Sequence, residues 1–417
     1  MAQPIAPAML TLPSGEPAMS AWPLRRDVIH LNHGSYGGVP RIALEHQEHL
    51  RAEMEEAPVP WFARSHELLQ EARNALAPKI GAPVDKTVLV PNASAGASVV
   101  YNSITLDMGA EIVVTNHGYG AVTMGAERLA RRIGGAVVTA TVPLTATADE
   151  AVDAVMVAVT ARTGLVILDQ ICSPSGMRLP VVDLSRLLRA QGIKVLVDAA
   201  HAPGLIDNPL EGLIADYWVG NLHKYACAPR GTALMVAQGD DYGDMYPLID
   251  SWGAPFDFPE RFDHQGTLDY TSYLAAVTSW EFIDDTWGWQ TVREYSRSLV
   301  DYGEAIVAQA FSDITGEDHH AGVKLTNDAL RIIRLPGSLV KINDDANAVR
   351  NYMFKNHGVH ISVTCFEGQG YLRLSAHAYN TAADYEEFAQ RAVPALSKLA
   401  READAGREWK QPTGVSA

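Results

Sequence analysis

The stretch KVLVDAAHAPG, Lys194 to Gly204, opens with an apolar, β-prone run, ends that run on Asp198 and places His201 three residues later. A short apolar run bounded by turn residues reads as a strand buried on both faces, as strands of a parallel sheet are. Asp198 then stands in one of two roles. It caps the following turn, a common task for aspartate, or it is a carboxylate held at a strand end to meet a cationic ring nitrogen. Six further runs read the same way: TVLVPN (87–92), EIVVTN (111–116), AVVTATV (136–142), LVILDQ (165–170), DYWVGN (216–221) and TALMVA (232–237). Most are followed by a helix-like stretch, such as GYGAVTMGAERLARRIG or DLSRLLRAQG. The alternation predicts an α/β chain with a mostly parallel seven-stranded sheet covered by helices on both faces. Ligands of such sheets bind at the carboxyl ends of the strands. The polar residues that end the runs are therefore the candidates: Asn92, His117, Asp169, Gln170, Asp198, His201, His223 and Lys224.

Beyond the sheet, WEFIDDTWGWQTVREYSRSLVDYGEAIVAQAF (280–311) reads as one long helix, followed by a smaller α/β unit with strands near ALRIIRLP and GYLRLSAHAYN. The expected division is a flexible N-terminal arm over 1–21, a segment 22–59 packing on the small domain, a large domain over 60–285 and a small C-terminal domain over 286–417. The 417 residues are 47% apolar, ordinary for a globular chain of more than one domain. With 33 Lys and Arg against 49 Asp and Glu, the formal charge is −16, which argues against nucleic acid and anionic membranes as partners. Cys172, Cys227 and Cys365 form neither a disulfide framework nor a zinc pattern, so no metal is expected and a reducing cytoplasm fits best. The start lacks the basic region of a signal peptide, and no apolar run reaches the length of a spanning helix.

The segment VGNLHKYACAPRG, Val219 to Gly231, sets one amine, Lys224, among small and apolar residues that read as a buried turn between strands. Taken alone, Lys224 reads as a surface lysine. Taken with Asp198 and His201 upstream, it reads as a Schiff-base lysine, since a partly desolvated amine can lose its proton and attack a carbonyl. Asp, then His, then a strand, then NLHK is the chain order of a pyridoxal 5′-phosphate (PLP) site.

VDAAHAPG, GNLHKY with APRGTALM, and the late YLRLSAHAYNT closely resemble the class V aminotransferase-like, fold-type-I PLP-dependent enzymes, with the isopenicillin N epimerase-like branch as the nearest match. HLNHGSYGGVP, VPNASAGAS, LDQICSPSG and SWGAPFDFPERFDHQGTLDY extend the resemblance over nearly the whole chain from about residue 22. It implies the fold-type-I transferase fold and PLP as cofactor. Lys224 is the implied attachment point, Asp198 the partner of the pyridine nitrogen, and His201 a donor to the phenolic oxygen. Ser94 and the backbone at Ala95 are implied phosphate ligands at a helix start, with Asn221 and His223 flanking the lysine. Tyr119 is the implied stacking aromatic, with His117 as its substitute, and Ser173 stands where desulfurase relatives have asparagine. Arg373, with Asn32, is implied to bind the substrate carboxylate. Thr267 resembles the residue that reaches the phosphate from a neighbouring subunit, which implies a homodimer with a shared site.

Two departures bear on the reaction. Leu268 replaces an arginine common in relatives, and Cys365 sits in roughly the region of the desulfurase cysteine without that family's lead-in. The reading favoured is a C–S lyase that acts by α,β-elimination on an S-substituted cysteine. Epimerisation, oxidative decarboxylation, cysteine desulfuration and a non-catalytic structural or regulatory role are the alternatives.

Overall fold

The computed structural model describes residues 4–406. The chain divides into two compact units: Tyr36–Ser173 with Met177–Asp285, and the remainder, up to Ser35, Pro174–Gly176 and from Thr286 onward.

The larger unit is built on seven strands: β1 (Thr87–Val90), β2 (Glu111–Thr115), β3 (Ala136–Ala140), β4 (Thr163–Asp169), β5 (Lys194–Asp198), β6 (Tyr217–Asn221) and β7 (Ala233–Ala237). Their order across the sheet is β1-β7-β6-β5-β4-β2-β3, and β7 alone runs antiparallel to its neighbours. This is the mostly parallel seven-stranded sheet that the apolar runs predict. Every residue of β1, β2, β6 and β7 is buried, as a sheet covered on both faces requires. The covering helices are α1 (Arg41–Glu56), α2 (Pro58–Leu76), α3 (Ala93–Ser103), α4 (Gly120–Arg132), α5 (Ala148–Val157), α6 (Val181–Arg189) and α7 (Thr271–Trp287). The chain goes from β2 out to the edge strand β3 and then returns to β4 on the other side of β2. The strand order therefore reverses between β2 and β4, and the crevice at such a switch point is where α/β sheets bind ligands.

The smaller unit holds α8 (Trp289–Thr315), β8 (Leu330–Arg334), α9 (Asn343–His357), β9 (Ser362–Phe366), β10 (Gln369–Ser375) and α10 (Ala382–Asp404). β10 is central and antiparallel to both β9 and β8. Leu299, Phe311, Val349, Leu372, Phe388 and Leu396 belong to its core. Ile29 and His30 pair in parallel with Val359 and His360, which ties the N-terminal segment into this unit.

The structure differs from the sequence expectation in four places. The long helix over 280–311 is two helices, because Gly288 takes φ +77° between α7 and α8, a backbone state that breaks a helix and suits glycine. The strand β9 was not read from the sequence. Residues 36–59, expected on the small domain, fall in the larger unit: on α1, His46 and Gln47 bond Thr278 and Thr271 of α7, and Arg51 pairs with Asp269. Residues of the expected flexible arm are bonded into the smaller unit, where Ala18 is buried and Trp287 Nε1 donates to the Thr11 carbonyl at 2.6 Å. No helix among the described residues is long and apolar enough to cross a membrane.

Candidate active site

β5 and β6 lie side by side in parallel, with Asp198 opposite Val219 in register, so the turns that follow them leave the sheet from neighbouring carboxyl ends. The turn after β5 carries His201 and the turn after β6 carries Lys224. Lys224 Nζ lies 3.2 Å from His201 Nε2. Asp198, His201 and Lys224 are exposed by 3%, 2% and 8%. The amine is thus buried in the turn the sequence suggested, where it meets an imidazole, and a proton can pass between Nζ and Nε2.

The lysine turn is held from several sides. Cys227 N donates to the Lys224 carbonyl at 3.0 Å, Ala228 N to Leu222 at 3.1 Å, and Ser279 Oγ to Cys227 at 3.1 Å. Cys227 itself takes φ +58°, uncommon outside glycine. Gly37, at φ +70°, lies so close that a Cβ there would stand 2.3 Å from the His223 carbonyl oxygen and 2.7 Å from that of Lys224. Only glycine fits such an approach, which accounts for one glycine of HGSYGG. His223 is half-buried, and burial together with the Lys224 charge pushes its imidazole down to about 4, so it is neutral at physiological pH.

Asp198 accepts the Ala200 N–H on Oδ1 at 3.0 Å. Burial raises its carboxyl above the ordinary value, while that N–H and the Lys224 charge pull the other way. One strand over, Asp169 is the register partner of Asp198. It is 3% exposed, and burial followed by the Asp198 charge holds its carboxyl well above the usual range. Sequence reading singled out Asp169 only as a strand end; its register with Asp198 becomes visible only once the strands are paired.

Asn92 caps α3, accepting the Ala95 N–H at 2.8 Å, and Asn221 Oδ1 accepts the Ala93 N–H at 2.8 Å. Gly96 N bonds the Asn92 carbonyl. The Ala95 N–H, expected to face a phosphate, is therefore committed to the cap, and Asn221 serves the helix start through its oxygen. Ser94 offers its N–H and hydroxyl at that end, half-buried and with the helix dipole behind them. Tyr119 precedes α4; it is 45% exposed, and its ring centroid lies 6.0 Å from Lys224 Nζ. His117 is fully buried with Nε2 on the Val142 carbonyl, which makes it a poor substitute for Tyr119. Ser173 is half-buried after β4, and Thr267 is exposed.

In the smaller unit, Arg373 on β10 is 3% exposed. Its Nη2 donates to Asn32 Oδ1 and to Ser35 Oγ, each at 3.3 Å, and the Ser35 hydroxyl donates to Asn32 Oδ1 at 2.7 Å. Asn32 and Arg373 are thus brought together as the sequence suggested. Ser35 was missed; it is the serine of HGSYGG, and nothing in that motif shows which way its hydroxyl turns. Cys365 sits within β9, opposite Gly370, not on a mobile loop, and burial raises its thiol. Reactive cysteines are the ones whose pKa is lowered.

The large-unit set is a buried amine with an imidazole, an aromatic face, a strand-end carboxylate and a helix start with a free N–H and hydroxyl. These groups fit a flat heteroaromatic aldehyde bearing a basic ring nitrogen and a phosphate: the amine would meet the aldehyde, the carboxylate the nitrogen, and the helix start the dianion.

Comparison with known proteins identifies the family. Residues 48–388 match the family model described as Aminotransferase class-V. The chain is 29% identical over 399 residues to isopenicillin N epimerase of Streptomyces clavuligerus, covering 90% of this chain and 96% of that protein. It is 24% identical over 393 residues to the probable chloroplastic L-cysteine desulfhydrase of Arabidopsis thaliana, covering 86% and 81% of the two chains. Among solved structures, it is similar in fold to the cystine C–S lyase C-DES in complex with its product cysteine persulfide, at TM-score 0.75 and 18% identity over 90% of this chain and 98% of that one.

Proposed function

The chain belongs to the aminotransferase class-V family, and from that premise we propose that it is a PLP-dependent C–S lyase acting on an S-substituted cysteine. The observation that carries the reading is the buried contact of Lys224 Nζ with His201 Nε2 at 3.2 Å, beside Asp198 at the carboxyl ends of β5 and β6. Bound PLP supplies an electron sink for negative charge at the substrate's α-carbon.

This chain's residues supply the rest. Lys224 would hold the cofactor through Nζ, and that amine, once released, would remove the α-proton. His201 accepts or returns a proton at Nε2. Asp198 would supply the negative charge for the ring nitrogen. Ser94, with Asn221 and His223 near the lysine in sequence, would serve the phosphate end, and Tyr119 would supply the aromatic face. Arg373, oriented by Asn32 and Ser35, grips the substrate carboxylate with its planar fork. The net reaction is substrate plus water to thiol, pyruvate and ammonia. One amine that takes and returns a single proton suffices for it, whereas exchange across two faces needs a second base. The similarity to desulfhydrases and to a cystine C–S lyase supports this choice. Cys365, a raised thiol on a strand, ranks desulfuration lower.

Epimerisation is the second reading, favoured by the 29% identity to isopenicillin N epimerase. Incubation in deuterated water with cysteine, cystine, S-alkyl cysteines and bulky L-amino acids separates the two. The lyase reading predicts pyruvate in equal amount with the released sulfur product: a thiol from S-alkyl cysteines, sulfide from cysteine and a persulfide from cystine. Deuterium at Cα with the D-isomer and no pyruvate is the epimerase result, and carbon dioxide with oxygen uptake is that of oxidative decarboxylation. A chain that takes up no PLP and shows none of these is the non-catalytic protein.

We further read the active unit as a homodimer, with exposed Thr267 completing the partner's phosphate site. The loop around it also exposes Trp252, Phe256 and Leu268. Sedimentation of apo and holo protein, wild type and Thr267→Val, tests this: weaker PLP binding and a looser dimer in the variant support the shared site, and a fully active monomer refutes it.

A further inference from the structure

The proposed function gives no task to Asp169, a buried acid of the larger unit. Asp169 ends β4 as Asp198 ends β5, and the two are partners in register on adjacent parallel strands. Strands of a sheet lie about 4.8 Å apart and residues in register point to the same face, so the two carboxyls stand side by side at the strand ends. Asp169 is 3% exposed. The Tyr119 backbone N–H faces its carboxyl and favours the charged form. A Cβ placed on Gly118 would lie 3.9 Å from Asp169 Oδ2, so the carboxyl reaches the segment that carries Tyr119. The ionisable groups around it are Asp198 on β5, Lys224 after β6 and the Tyr101 hydroxyl on α3, which burial and then both carboxylates push upward.

Two ionised carboxylates this close in a dry site repel each other strongly, and the stable arrangement shares one proton between them. Each carboxyl has a backbone N–H that favours its charged form, Ala200 at 3.0 Å for Asp198 and Tyr119 for Asp169, and the PLP reading needs the charge on Asp198. Burial and the Asp198 charge raise Asp169. We propose that Asp169 is a positioning residue of the same site: as a neutral acid it holds the Tyr119 segment through a backbone N–H and leaves Asp198 the single negative charge facing the ring nitrogen. This inference rests on the PLP reading above. It identifies a residue that acts through Tyr119 and Asp198, and it predicts that the carbonyl oxygen of Asp169 matters and its charge does not.

Asparagine keeps the oxygen and is neutral; alanine removes both. The test compares wild type, Asp169→Asn and Asp169→Ala by PLP titration, by the pH dependence of the bound cofactor's absorbance and by thermal unfolding of the apoproteins. Asp169→Asn is expected to hold PLP within about threefold of wild type and to leave the absorbance midpoint within ~0.3 pH units, since a change of charge beside the ring would move it by a unit or more. Asp169→Ala should weaken PLP about tenfold, the usual scale of one lost hydrogen bond. An asparagine variant as weak as alanine, or a midpoint displaced by a unit or more, overturns the proposal. If alanine fails to fold, asparagine alone decides by the same limits.

If wild type binds no PLP, the cofactor reading has failed and the apoproteins still test the neutral acid. A carboxyl raised in the folded state costs stability as pH rises above its unfolded value. Wild-type apoprotein should therefore lose more unfolding temperature between pH 5 and pH 8 than Asp169→Asn. An equal or steeper loss in Asp169→Asn contradicts a neutral Asp169.

Discussion

Arg73 and Asp263 in the larger unit form a closed ion pair, whereas the buried ionisable groups at the strand ends of that unit form a set coupled by protons. Arg73 Nη1 donates to both oxygens of Asp263 at 2.6 Å, and each residue is 4% exposed. One cation meets one anion, and α2 is tied to the turn at 260–263. At the ends of β4, β5 and β6, by contrast, two carboxyls face one amine and one imidazole. Both places bury charge, and both cost desolvation: even beside Arg73, burial pushes the Asp263 carboxyl up to about 6. Buried charge by itself therefore does not mark a site. The difference lies in the protons. Arg73 and Asp263 neutralise each other as a fixed ion pair, whereas the strand-end set is coupled through protons that can move, and such a set at the carboxyl ends of parallel strands is one that a ligand can complete.

The largest expected effect breaks the comparison from the strand-end side. Asp198→Ala removes the charge that keeps a ring nitrogen protonated, so turnover should fall by about 10³-fold or more, while PLP affinity, carried by Lys224 and the phosphate end, falls less than about tenfold. Thermal stability should hold or rise, since a buried carboxyl that burial disfavours is gone. Equal losses of turnover, affinity and stability would make Asp198 a structural residue like Asp263.

The converse holds for the closed pair. Arg73→Met leaves a buried carboxylate alone and should cost about 3–5 kcal/mol of stability, whereas Arg73→Met with Asp263→Leu should recover most of that loss. Because the folded Asp263 titrates near 6 against an ordinary 3.8, wild type loses stability as pH rises through that interval, and the double variant does not. Urea unfolding at pH 4.5 and pH 7.5 reads both effects. A double variant as unstable as the single one contradicts the account of a replaceable pair.

Arg373 sharpens the comparison from the smaller unit: a buried guanidinium whose Nη2 sits on the neutral oxygens of Asn32 and Ser35. Arg373→Lys keeps the charge but loses the planar fork, and should cost about 2–5 kcal/mol of substrate binding with the resting cofactor spectrum unchanged. An unchanged substrate titration removes Arg373 from the site. Ser35→Ala should act in the same direction and less, about 1 kcal/mol, seen as a KM several-fold higher at constant kcat. A fall in kcat alone would place Ser35 elsewhere in the mechanism.

Most of the seven strands were legible because strands buried on both faces carry uninterrupted apolar runs: LVILD and KVLVD admit no other reading beside the helices that follow them. The edge strand β3, exposed or half-buried over four of its five residues, was legible from its β-branched residues. Lys224, Asp198 and His201 were legible because they end or follow such runs. β9 was missed because SVTCF is neither a continuous apolar run nor an alternating one throughout, and its burial likewise does not alternate. The break at Gly288 was missed because one glycine in a helical pattern is tolerated as often as it is obeyed. α1 was placed with the wrong unit because its mostly exposed residues, such as Arg41, Glu45 and Glu48, give no sign of what its buried face meets. The commitment of the Ala95 N–H to Asn92 was readable in principle, since asparagine before a helix is a cap. The tasks of Asp169 and Ser35 were not, because both depend on register and on long-range contacts that no local pattern carries.

The central claim, that Lys224 is buried to carry the cofactor, is tested most directly by borohydride reduction of the PLP-loaded protein, digestion and peptide mapping. The account predicts a single pyridoxyl adduct on the peptide containing Lys224, absent from Lys224→Ala. An adduct on another lysine, or the same labelling in Lys224→Ala, would contradict it.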